Sequence, residues 1–279
     1  MYEILNNLEV IKISGENCLN FLQRFTTNDL KNQNFSYNYF LDSKGRYLYD
    51  SFLYRIPSDK NEKFIILINK SQINDLIEHL KFFKLKEKIQ IENISSSYIL
   101  LYSNKIIYDK NIIFSIKDPR YIGLGYISMI FKDNIELLEF NFTKNLYLKD
   151  KYNFAIPDGF SDLIHKKSII LEYGALQLNA LNRNKGCYLG QELISRTLNQ
   201  GIVRKNIYKI TLNKEIDKTL LPYNLFIGEL KIGHITSCYQ KLAIAIINID
   251  KIPYENKNSF RISNSNFQCK LEHAIWYKN

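Results

Sequence analysis

The chain has 279 residues, 46% of them hydrophobic, with 38 Lys and Arg against 28 Asp and Glu for a net charge of +10. That length and apolar content fit one large or two to three small globular domains. They exclude a spanning helix, because no apolar run approaches the ~18 residues such a helix needs.

Residues 8–14 alternate apolar and polar side chains and predict a strand. Ser14 and Gly15 lead into a helix whose apolar face is Cys18, Leu19, Phe21, Leu22 and Phe25. Residues 37–41 and 46–55 predict a hairpin, with Asp42 and Gly45 as its turn formers. A strand follows at 64–69. The next helix has Ile73, Leu76, Ile77, Leu80 and Phe83 as its stripe and Ser71 as its expected cap. Residues 88–94 return as a strand, and Ser95 to Ser97 mark a boundary. Short strands are expected over 98–131 and helix over 133–152, with a loop at 156–163. After Val203 the pattern becomes strands at 207–212, 225–228, 230–237, 242–250 and 267–276, which predicts a small antiparallel barrel. The whole reads as α+β, with divisions at 1–95, 96–203 and 204–279.

The four cysteines, Cys18, Cys187, Cys238 and Cys269, form no C-x-x-C pair and no metal-finger spacing. The N-terminus shows neither a signal peptide nor a transit peptide, so the expected setting is reducing and cytoplasmic, without disulfides, metal or membrane. The lysines are scattered, densest in KFFKLKEK at 81–88. An Asn/Lys/Ile bias accounts for the charge, and direct tRNA binding is a minor alternative.

The stretch NKGCYLGQELISRT carries the chemistry. Gly186 and Gly190 permit positive φ and close backbone approach. A helix is expected over 191–198, with Glu192 in its first turn. Cys187 lies just before that N-terminus and two residues from Lys185, both of which favour the thiolate. Glu192 works against it. The bland alternative is Cys187 as a small packing residue and Lys185 as a solvated surface charge.

KGCYLGQE, residues 185–192, resembles the signature of the YgfZ family, folate-binding proteins related to the glycine-cleavage T-protein. Its seven fixed positions are all present. The likeness extends through FLQRFTTNDL (21–30), DSKGRYLYD (42–50), DPRYIGLGY (118–126), IPDG (156–159), GIVRK (201–205) and GELKIGHITS (228–237). Ala155 and Ile170 stand where the family has glycine and proline.

The resemblance implies an aminomethyltransferase folate-binding-like fold of three small domains in a ring. Tetrahydrofolate or a one-carbon derivative would occupy the central channel, and the C-terminal domain would be an antiparallel β-barrel. It implies working roles for Cys187 and Lys185, and cofactor contacts from Gly186, Tyr188, Gly190, Gln191, Glu192, Asp50 and Glu172. Arg120 is expected in a salt bridge near the channel. Lys151 stands where the family often has arginine, which loses a bidentate clamp. The implied role is support of iron–sulfur enzymes, tRNA-modifying ones included, with those enzymes or carrier proteins as partners. A folate-dependent aminomethyl transferase is the alternative.

Overall fold

The computed structural model describes residues 1–56, 62–137, 141–252, 260–262 and 268–277. The chain opens with β1 (Tyr2–Ile4) and β2 (Leu8–Gly15), then α1 (Cys18–Gln23), β3 (Phe35–Leu41), β4 (Tyr47–Ile56), β5 (Lys63–Asn69), α2 (Ile73–Lys84) and β6 (Ile89–Asn93). Strands β2 to β6 form one antiparallel sheet ordered β3-β4-β5-β2-β6. A second sheet takes β7 (Tyr98–Ser103), β8 (Ile112–Lys117) and β9 (Tyr126–Phe131) in the order β1-β7-β9-β8. The chain's first strand therefore lies with the middle region, pairing Tyr2 with Ser103.

The reading FIILI at 64–68 explains why β5 is central. Ile65 and Leu67 face one core and Phe64, Ile66 and Ile68 the other, so both faces are buried and the run is continuously apolar. On one side, α1 and α2 close over the sheet with Phe21, Leu22, Leu76 and Leu80. Each such side chain contributes about 1.5–3 kcal/mol by leaving water. On the other side a single core joins all three sheets, running from Leu67 through Ile127 to Ile246.

The middle region continues with α3 (Leu146–Asn153), the single turn α4 (Gly159–Asp162) and α5 (Gln191–Gln200). A closed antiparallel barrel completes the chain: β10 (Lys205–Leu212), β11 (Tyr223–Ile227), β12 (Leu230–Tyr239), β13 (Leu242–Asn248), β14 (Phe260–Ile262) and β15 (Gln268–His273). It is docked by polar contacts as well as by packing. Thr236 and Ser237 donate to Asp162 at 2.5 Å each, and the Trp276 indole N–H donates to the Phe154 carbonyl at 2.9 Å.

The expected elements formed, with these differences. The loop expected at 156–163 holds the helical turn α4, where Asp158 accepts from the Ser161 N–H at 2.9 Å. Ser71 does not cap α2; its hydroxyl donates to Asn69 at 2.8 Å, and Gln72 precedes the helix without a side-chain cap bond. The expected helix at 133–152 is a 3₁₀ turn (Lys132–Leu137) and the shorter α3, with 138–140 outside the described residues. Strands β1 and β14 are too short for periodicity to reveal. Position 267 of the last expected strand also lies outside the described residues.

Candidate functional site

Among the four cysteines, Cys187 alone is exposed; Cys18, Cys238 and Cys269 are buried. The loop that carries Cys187 is pinned on both sides. Before it, the Asn182 N–H donates to the Thr27 carbonyl at 3.1 Å. Lys185 is buried, and its ammonium donates to the carbonyl of Asn28 at 2.7 Å, the hydroxyl of Thr26 at 3.0 Å and the carbonyl of Thr26. After it, the Leu189 N–H donates to the Arg24 carbonyl at 2.8 Å.

The remaining motif residues serve the same presentation. Tyr188 is buried, its ring 5.3 Å from the Lys185 ammonium. Gly190 sits at φ +81°, and an added Cβ would collide with the Asp42 carbonyl and crowd Leu41. The motif thus crosses the β3–β4 turn at van der Waals distance, which only glycine permits. Gln191 opens α5 and its side-chain oxygen accepts from the Tyr188 N–H at 3.3 Å. Glu192 is exposed in the first turn of α5. At Gly186 an added Cβ would meet nothing within 4 Å, so the chain beside Cys187 faces open space.

The placement of Lys185 corrects the expectation that it activates the thiol. All three of its donors point into the body of the protein. Burial pushes its pKa down to about 7, with Asp29 opposing. It anchors the loop; the sequence missed its partners because Thr26 and Asn28 lie far upstream. Their inclusion in the FLQRFTTNDL likeness was the available signal.

Asp50, on β4, occupies a second place. The hydroxyl of Tyr47 donates to it at 2.7 Å, the Gly159 N–H at 3.1 Å, and the Tyr37 hydroxyl also donates. Burial raises its pKa, Asp158 adds to this, and the three donors oppose it. Beside it Arg120 is fully buried and grips Asp118 through two bonds of 3.0 and 2.6 Å. Its guanidinium lies 4.7 Å from the Tyr37 ring centre and 4.8 Å from that of Phe52. Lys151 pairs with Asp158 at 2.5 Å and Asp162 at 3.3 Å, so its charge is spent within the protein.

The hollow between Asp50, Tyr37, Arg120, Tyr147 and Phe160 holds about 30 Å³. Ser51, on its wall, has a hydroxyl with no hydrogen-bond partner. That space and its polar lining suit an ordered water. Three of the roughly four acceptor positions of the Asp50 carboxylate are already occupied.

Glu172 lies elsewhere again, in a cleft of about 550 Å³ with Arg196, Arg204 and Lys205. It pairs with Lys205 at 3.1 Å, linking the 3₁₀ turn Ile170–Tyr173 to the barrel. The expected folate set is therefore divided among three places, and Gly186, Tyr188, Gly190, Gln191 and Glu192 line neither hollow. Among the described residues no cluster of His, Cys, Asp or Glu is arranged to hold a metal ion.

The fold is aminomethyltransferase-like. It aligns with the crystal structure of glycine cleavage system aminomethyltransferase T from Bartonella henselae at a TM-score of 0.76, covering 99% of this chain and 86% of that one at 13% identity.

The chain is also similar in sequence to proteins named iron-sulfur cluster assembly factor IBA57 or its homologue. That of Dictyostelium discoideum is 27% identical over 297 residues, covering 90% of this chain and 72% of the relative. That of Mus musculus is 26% identical over 233 residues, covering 75% and 65%. That of Pyricularia oryzae is 26% identical over 222 residues, covering 76% and 57%, so the chain spans little more than half of that relative. No family model matches the chain. These relatives are all named as mitochondrial, which overturns the expectation of a cytoplasmic protein.

Proposed function

We propose that this chain is an accessory factor of iron–sulfur cluster assembly that works through the thiol of Cys187, in a mitochondrial setting like that of its relatives. The observation carrying this is the contrast between one exposed cysteine on a doubly pinned loop and three buried ones. A cluster is commonly held by four thiolates. Cys187 supplies one ligand, losing its proton to solvent as iron binds. A partner protein, an assembly carrier or a client enzyme, supplies the others. The pinned flanks fix where the sulfur meets that partner, while the open chain at Gly186 leaves room for it.

Tetrahydrofolate has support from the aminomethyltransferase-like fold alone and takes no step in the role of the thiol. Folate-dependent release of ammonia from an aminomethyl carrier at enzyme-like rates would restore the transferase alternative.

The test is rescue of iron–sulfur enzyme activity in cells lacking the protein. Wild type restores it. Cys187→Ser does not, although its melting temperature is unchanged. Full rescue by Cys187→Ser overturns the proposal.

A further inference from the structure

The lysine run KFFKLKEK forms the end of α2 and the turn after it. Ile73, Leu76, Ile77 and Leu80 face the core. Phe82 and Leu85 project from the end of this helix, 74% and 82% exposed. Leu85 ends the helix at φ 46°, where glycine is the usual residue. A leucine there is unfavourable twice over, through its backbone and through an apolar side chain left in water.

The surroundings are basic. Lys63, Lys84 and Lys88 ring a hollow of about 470 Å³ with Gly15 and Gln90. The nearby glutamates are already engaged: Glu78 with Lys81 at 3.1 Å, Glu87 with Arg24 at 2.5 Å and Glu16 with Lys88 at 3.8 Å. Lys63 and Lys86 have no carboxylate partner among the described residues, and the Lys84 ammonium donates to the Ile89 carbonyl at 2.5 Å.

We infer that this tip is a peripheral docking surface for an anionic phospholipid bilayer. Phe82 and Leu85 enter the acyl boundary, while Lys63, Lys86 and Lys88 meet lipid phosphates. Neither signal suffices alone; reversible anchoring takes an apolar insertion and a basic patch together. A nucleic acid would reward the lysines but leave both apolar side chains in water. Lysines act as point charges without a fixed fork, which suits a fluid array of phosphates. The attachment is monotopic, since among the described residues no helix is long and apolar enough to cross a membrane.

The test is co-sedimentation of the full chain with vesicles of phosphatidylcholine containing about 30% phosphatidylserine, against phosphatidylcholine alone. The chain partitions onto the anionic vesicles and binding weakens with salt. Phe82→Ser/Leu85→Ser and Lys86→Glu/Lys88→Glu each lower the partition roughly tenfold or more, with melting unchanged because these side chains are exposed. Phe82→Trp fluorescence is quenched by brominated lipids. Equal binding to neutral vesicles, or binding indifferent to Phe82→Ser/Leu85→Ser, overturns the inference. So does retention on tRNA or on an acidic protein without any vesicle binding.

Discussion

Lys185 donates to the carbonyl oxygen of Asn28 across 2.7 Å, joining residues 157 positions apart in the chain. Its other two donors go to Thr26, so one ammonium fastens the Cys187 loop to the segment after α1. Lys185→Ala takes three donors away from these buried oxygens, of which the Thr26 hydroxyl and the Asn28 carbonyl keep weaker bonds, a cost of about 2–4 kcal/mol. The expected result is a lower melting temperature and faster protease nicking near Gly186, with Cys187 itself intact. Cleavage at the wild-type rate would show that the loop is held by something else.

The same residue makes stability depend on pH. Burial pushes the Lys185 pKa down to about 7, while in the unfolded chain it titrates near about 10.4. Between those values the unfolded chain binds more protons than the folded one, so stability rises with pH across that window. The cost of burying the charge is present in full below the lower value and is relieved above it. Urea unfolding of wild type against Lys185→Met checks this. The wild type gains on the order of a few kcal/mol relative to the variant from neutral to alkaline pH. A constant difference would place the Lys185 pKa at its ordinary value.

Alkylation separates the four cysteines. Burial pushes the thiols of Cys18 and Cys269 up to about 11 and that of Cys238 upward too. Iodoacetamide on the folded chain yields a single adduct, at Cys187, by mass spectrometry, and all four cysteines react in urea. A second adduct on the folded chain would show that another thiol is accessible.

Gly159 is held against Asp50 by its N–H bond, and an added Cβ would collide with the Asp50 carboxylate and the Tyr47 hydroxyl. Gly159→Ala costs about 2 kcal/mol or more by overpacking. In an Asp50→Ala background the same change costs less, by about 1 kcal/mol, because one of the two obstacles has gone. A double-mutant cycle by denaturant unfolding measures that coupling; simple additivity would mean that the backbone moves aside instead.

Local periodicity carries much of the fold. The alternation at 8–14, the FIILI run, the apolar stripe of α2 and the strands after Val203 are all visible without coordinates, because a strand or helix repeats its burial pattern every few residues. Tyr2–Ile4 and Phe260–Ile262 are too short for any repeat, and their pairing with distant strands gave no local sign.

The site divides in the same way. A glycine-bracketed cysteine before a helix and an aspartate on a hairpin strand are legible from the residues alone. What each group faces follows from the folded chain. Lys185 turns from the neighbouring sulfur toward Thr26 and Asn28, Glu172 turns to Lys205, and Asp50 meets two tyrosines and the Gly159 backbone. The difference is one of range. Element formation follows from neighbours a few positions away, whereas the charge, burial and donors around a side chain come from whichever distant segments the fold brings against it.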